Sequence, residues 1–261
     1  YHNTIIMMNI IDFEQSLVRI FFWSIFNYRI FLTIRKYYVP DILKDNKDKN
    51  YYSLTLINIF HALVMGIKSL ELIYLNKITV YDFHNRIIIW ESFVEYSVGY
   101  LLYDTYLMFI IDTSRSNKEV FINILHHIFV VILAYYSVCL SYYGSSLNVI
   151  AYLSELSAPF TNLRWILKNV YGGTDTKLYL LNGIFIFITF LLFRVLSLGY
   201  CMYMMFIIQP SISGGYTGYN LDGYLGYLID PIIICFYILN LYWFSKVCEG
   251  LKSKIHLKKI L

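Results

Sequence analysis

Glu155-Leu-Ser-Ala-Pro-Phe-Thr-Asn-Leu-Arg-Trp165 places an acid, a proline, an amide and a guanidinium inside an otherwise apolar segment of membrane-spanning length. A second polar stretch, Leu125-His-His-Ile-Phe129, lies in the apolar segment before it. Each charge at bilayer depth costs about 2.5 to 3.5 kcal/mol on insertion scales, so such residues should turn inward and find partners. The two stretches read as the polar centre of a membrane bundle.

The rest of the chain supports that reading. Of its 261 residues 58% are hydrophobic, 19% aromatic and only 15% charged, with a mean hydropathy of +0.56. That composition excludes an ordinary soluble domain and predicts an all-α integral membrane protein, a bundle of six to seven transmembrane helices. Seven stretches approach the roughly 20 apolar residues a spanning helix needs, near 14–34, 51–75, 88–111, 120–143, 147–167, 178–208 and 225–246. Between them lie a lysine-rich linker, Arg35 to Asn50, short polar turns, and a Gly-rich loop, Ser211 to Gly223.

Lysine and arginine are distributed unevenly across these loops. Fourteen fall on one side of a seven-span arrangement and only Lys77 and Arg86 on the other. Cytoplasmic loops carry the basic excess, which places the N-terminus outside or in the lumen and the C-terminus in the cytoplasm. The first span, holding Arg19 and Arg29, is the weakest; without it six spans remain and the N-terminus becomes cytoplasmic.

Polar residues inside the proposed spans are the candidate site. Arg19, Arg29, Lys68, Arg164 and Arg194 are joined there by Glu71, Glu91, Glu95, Asp104 and Glu155. A rise of about 1.5 Å per residue puts Asp104, His126, His127 and the Thr161 to Arg164 turn in one layer. The short turn after the fourth helix makes it the antiparallel neighbour of the fifth, which would bring the histidines near Asn162 and Arg164. Glu155 and Asn162 are seven apart and should share one helix face, Ser157 and Arg164 another. Pro159 lacks the N–H that would bond the Glu155 carbonyl, which predicts a kink there. On the second helix His61, Lys68 and Glu71 lie near one stripe, with Lys68 and Glu71 spaced to pair. Asn182, Arg194, Asp230 and Asn240 extend the polar lining, and Asp230-Pro231 marks a helix start or kink.

No metal is expected. Adjacent histidines point about 100° apart on a helix, whereas a helical metal pair sits at i, i+4. Cys139, Cys201, Cys235 and Cys248 show no CxxC spacing and read as core or lipid-facing thiols. An imidazole titrating near neutrality suits acid/base work, with Asp104 or Glu155 as the orienting carboxylate.

At these residues the chain resembles the TLC domain family, the homology domain shared by the TRAM, Lag and CLN membrane proteins. The matching pieces are Phe60-His-Ala-Leu-Val-Met-Gly66, Gly99-Tyr-Leu-Leu-Tyr-Asp104, Leu125-His-His127, Ala134-Tyr-Tyr136, the Glu155 to Trp165 run, Asn182-Gly183 and Arg194. The resemblance implies a TLC domain over 51–250, preceded by a helix and basic linker over 1–50 and followed by a basic cytoplasmic tail over 251–261. It also implies a polar cavity open to the cytoplasm, a role in lipid metabolism, and residence in the endoplasmic reticulum or another endomembrane. The Lag members are ceramide synthases, which use acyl-CoA to acylate a sphingoid amine through paired histidines; His126 and His127 match that pair. Their pattern continues with a His-Asp motif, and this chain has no histidine between His127 and His256.

The leading expectation is therefore a lipid-homeostasis protein that binds a long-chain membrane lipid, a sphingolipid or phospholipid, through His61, Glu155, Ser157, Asn162, Arg164, Asn182 and Arg194. The alternative is an N-acyltransferase with acyl-CoA as co-substrate. There His126 or His127 is the base, Asp104 its orienting partner, and Arg164 or Asn162 steadies the oxyanion. A receptor or transporter is the third class; the charged centre opposes the first and the lack of an internal repeat the second. No cofactor and no nucleic acid are expected, and a homodimer is compatible with either leading reading.

Overall fold

A chain this apolar must satisfy its backbone N–H and C=O groups internally, and helices do so without help from neighbours. The computed structural model describes residues 2–75, 87–110, 117–135, 145–208 and 224–260, and among these the regular structure is entirely helical. The Gly-rich loop, Cys139, the Tyr142-Tyr143 pair and the Lys77 to Arg86 loop lie outside the described residues, as does the side chain of Asp230.

The elements run α1 (His2–Tyr37), α2 (Asn46–Leu75), α3 (Ile88–Ile110), α4 (Asn117–Tyr135), α5 (Ser145–Ala151), a 3₁₀ turn (Tyr152–Ser157), α6 (Ala158–Asn169), α7 (Lys177–Phe190), a π-helical stretch (Leu191–Leu196), α8 (Ser197–Tyr203), a second π stretch (Met204–Ile208) and α9 (Tyr224–Ile260). Four spans, Phe13–Tyr37, Asn46–Leu75, Lys177–Tyr203 and Pro231–Lys252, are long and apolar enough to cross a membrane. They coincide with the first, second, sixth and seventh predicted stretches. The other three coincide with α3, α4 and the α5 to α6 rod, where the polar residues are concentrated. The protein is an all-α integral membrane protein. Pro231 lies inside α9, which begins seven residues earlier, so it does not mark the helix start.

The described residues form two compact units, Tyr1–Ile57 with His84–Ser145, and Asn58–Phe83 with Ser146–Leu261. In the first, α1 lies along α3, and α4 packs on α3. Gly99 permits the approach of α1: a Cβ there would stand 2.6 Å from the Ile20 carbonyl oxygen and 2.7 Å from Trp23 Cβ. Beside it the Arg19 guanidinium grips both carboxylate oxygens of Glu95 at 2.6 and 2.7 Å. Glu95 is buried, so the charge that would be costly alone is matched by a two-pronged partner. Phe31, Leu54, Ile57, Tyr100, Tyr103 and Leu107 form the core next to this seam. At the end of α1, Arg35 donates to Asn50 and, at 3.0 Å, to Asn46, which ties the lysine-rich linker to the start of α2.

In the second unit Leu147, Ile150, Cys201 and Met204 form a core against which Ile73 and Leu153 pack. Cys235 is exposed and Cys248 is half-buried. Lys68 and Glu71 pair at 2.8 Å, as their spacing predicted. The turn from α6 to α7 uses Gly172 and Gly173 at φ of 94° and 87°, a backbone region that other residues enter only with strain. It returns α7 against α6, and Thr176 caps α7 by accepting from the Tyr179 N–H.

Candidate functional site

The predicted site residues divide between the two units. His126, His127 and Asp104 belong to the first; His61, Glu155, Ser157, Asn162, Arg164, Asn182 and Arg194 belong to the second.

In the first unit His127 is held at both ring nitrogens. Its Nε2 lies 3.5 Å from the Asp104 carboxylate, and its Nδ1 lies 2.9 Å from the Thr105 hydroxyl. Asp104 is 2% exposed and His127 8%. Two consecutive residues of α3 thus clasp one imidazole of α4. The His126 ring stands 5.9 Å away, inclined at 56° to its neighbour, and is the less buried of the two. Thr105 was not singled out from the sequence; its position beside Asp104 was the available signal.

In the second unit the site grows from a backbone irregularity. Because Pro159 has no N–H, the Glu155 carbonyl takes its bond from Ala158, one residue closer, and the chain tightens into the 3₁₀ turn. Pro159 then sits in the first turn of α6, where a missing N–H is harmless. The expected bend is therefore a change of helix type. A 3₁₀ helix has three residues per turn, so residues before and after it lose the common faces a continuous α-helix would give them. Ser157 and Arg164 accordingly have different partners.

Ser157 meets Arg194. The Ser157 hydroxyl donates to the Ser154 carbonyl at 2.9 Å and accepts from Arg194 Nε at 2.7 Å. Arg194 lies in the π stretch, whose looser winding shows in the Ser197 N–H bonding to the Leu192 carbonyl five residues back. Its Nη1 donates to Asn240 Oδ1 at 3.1 Å, and Asn240 donates its amide to the Phe236 carbonyl at 2.9 Å, which fixes the acceptor toward the guanidinium. Ser157 and Asn240 are fully buried and Arg194 is 8% exposed. One arginine so joins the 3₁₀ turn, the π stretch and α9. Of these, neither the 3₁₀ turn nor the π stretch could be read from hydropathy.

Arg164 meets α7 instead. Its guanidinium lies over the Tyr179 ring at 4.3 Å, and a Cβ on Gly183 would come within 3.3 Å of Nη1. Asn182, next to that glycine, donates to the Phe160 carbonyl at 2.9 Å, while its buried Oδ1 has no hydrogen-bond partner among the described residues. Asn162 bonds the Ala158 carbonyl of its own helix at 2.9 Å. His61 is buried on α2, five residues before Gly66; a Cβ on that glycine would stand 2.6 Å from Leu156 Cδ2 in the 3₁₀ turn. Among the described residues no cluster of three His, Cys, Asp or Glu side chains could hold a metal ion.

These residues are set in a sequence whose positions 52–249 match the TLC domain model named for TRAM, LAG1 and CLN8. The chain belongs to the TLC domain family. It is similar to human TLC domain-containing protein 4, with 25% identity over 216 residues, 78% of this chain and 75% of the relative. TLC domain-containing protein 4-B of Danio rerio is 26% identical over 213 residues, covering 77% and 74% of the two chains. A putative TLC domain-containing protein of Acanthamoeba polyphaga mimivirus is 28% identical over 157 residues, 60% of this chain and 70% of its own. All the predicted site residues fall inside the matched TLC region, whereas Arg19 on α1 precedes it.

Proposed function

We propose that this TLC-family protein serves lipid homeostasis by holding a long-chain membrane lipid against the helices of its second unit, whose polar residues recognise the head group. The observation that carries this reading is the half-buried Arg164, stacked on Tyr179 beside the buried Asn182 Oδ1, which has no hydrogen-bond partner among the described residues, at the start of a helix apolar enough to span the membrane. Polar groups there are costly unless they serve packing or a ligand. Exposed apolar side chains on α7, such as Leu181, Ile184, Phe185 and Ile188, offer acyl chains a surface beside them. The asymmetry of fourteen basic residues on one side to two on the other supports a cytoplasmic C-terminus, and the family resemblance supports an endomembrane. Native mass spectrometry of protein purified in mild detergent tests the reading: a retained long-chain lipid at near one per chain is expected. Release of bare protein under conditions that preserve the fold would overturn it.

A second reading, acyl-CoA-dependent N-acylation, is favoured by the clasp of Asp104 and Thr105 on His127. With both nitrogens of His127 engaged, His126 would take the proton as an amine attacks the thioester. A C–N bond forms, the C–S bond breaks, and the thiol leaves carrying a proton.

A further inference from the structure

The two arginines of the second unit differ in what surrounds them. Arg194 is buried and donates to two side chains, Ser157 and Asn240. Arg164 is half-buried, and among the described residues its one directed contact is the face of Tyr179. A ring face orients a guanidinium and leaves its in-plane N–H donors available, in the fork that matches phosphate oxygens.

Position adds to this. Arg164 lies five residues before the end of α6 and Tyr179 two residues after the start of α7, so the stack sits about 7 Å from the turn joining them. Lys168, one helical turn beyond Arg164, and Lys177, at the start of α7, are both exposed at that end. The one nearby acid, Asp175, accepts a hydrogen bond from Thr174 at 3.3 Å. Three cations and one carboxylate thus lie on or near the turn joining α6 to α7, an end that the basic-residue asymmetry assigns to the cytoplasmic side. Asn182 Oδ1, on the same seam, is a buried acceptor without a hydrogen-bond partner among the described residues.

We infer that the seam between α6 and α7 is an anion site in which Arg164, stacked on Tyr179, takes the phosphate of an acidic phospholipid. The inference rests on the lipid-binding reading and names its head-group class.

The test reconstitutes the full chain in nanodiscs of dioleoylphosphatidylcholine doped with dioleoylphosphatidylglycerol. Retained lipid is weighed by native mass spectrometry for the parent chain, Arg164→Gln, Arg164→Lys and Gly183→Ala. The parent should retain the acidic lipid about tenfold over the zwitterionic one of identical chains, because both carry the phosphate but choline brings its own cation to a site already basic. Arg164→Gln should erase that preference while still retaining lipid. Arg164→Lys should keep part of it, and Gly183→Ala, which crowds the guanidinium without touching charge, should weaken it. Equal retention of both lipids by the parent, or an unchanged preference in Arg164→Gln, overturns the inference and leaves lipid binding intact. No retained lipid at all overturns the lipid-binding reading itself. Displacement of the acidic lipid by millimolar inorganic phosphate would mean that the site takes free phosphate, and would overturn the head-group assignment.

Discussion

Arg194 Nε donates to Ser157 Oγ at 2.7 Å, joining a 3₁₀ turn to a π-helical stretch across two segments that a regular α-helix would have wound differently. Both groups are buried. The pair therefore holds the second unit's polar cluster in register. Ser157→Ala should lower stability by about 1 kcal/mol, typical of an interhelical hydrogen bond in a membrane protein. Arg194→Ala should cost about 3 kcal/mol or more, because buried Ser157 and Asn240 lose their partner together and the buried side chain leaves a cavity. Thermal unfolding in detergent measures both; equal effects would show that the guanidinium's other contacts are unimportant.

The glycines separate two kinds of close approach. At Gly99 an added methyl meets the Ile20 backbone oxygen, which cannot move without shifting α1. At Gly66 it meets Leu156 Cδ2 and Cγ at 2.6 and 2.7 Å, a side chain that can change rotamer, with the Leu156 backbone nitrogen farther off at 3.3 Å. Gly99→Ala should therefore destabilise by roughly 1 to 3 kcal/mol and Gly66→Ala by less. The order of the two melting temperatures decides the matter, and the reverse order would contradict this packing of α1 on α3.

Arg19 and Glu95 are unequally exposed, the arginine about half open and the glutamate buried. Arg19→Ala leaves a buried carboxylate without its fork-shaped partner, whereas Glu95→Gln leaves an arginine that can reach water. The first substitution should be the more damaging, and the double mutant should recover part of the loss. A double-mutant cycle on detergent stability that showed simple additivity would mean that the pair does not couple α1 to α3.

The clasp on His127 assigns the two histidines different parts. If the chain acylates amines, His126→Ala should remove turnover while leaving stability almost unchanged. His127→Ala and Thr105→Val should disturb the pH profile and lower stability as well, since they break the clasp. Purified protein offered long-chain acyl-CoA and sphingoid amines provides the readout. Turnover that survives in His126→Ala would exclude it as the base.

Much of this organisation was legible in the chain. The apolar stretches at 14–34, 51–75, 178–208 and 225–246 correspond to helices long and apolar enough to span a membrane, because hydropathy and length are read directly from the residues. The Lys68 and Glu71 pair followed from helical spacing. Partners across helices were harder. Arg194 was visible as a charge in an apolar span, but its bonds depend on a π stretch that no local residue pattern announces. Pro159 signalled a missing hydrogen bond without saying whether the chain would bend or tighten, and the 3₁₀ outcome separated Ser157 from Arg164. Hydropathy also could not distinguish an arginine bonded to buried side chains from one stacked on a ring.

A long-chain lipid lying against α6 and α7 is the central element of the proposed function. Photo-crosslinking with a bifunctional long-chain lipid, followed by peptide mapping, tests it most directly. Adducts concentrated on Ala158–Asn169 and Lys177–Phe190 and reduced in Arg164→Gln are expected. Adducts spread evenly over the exposed apolar faces of every helix, and unchanged in that variant, would contradict it.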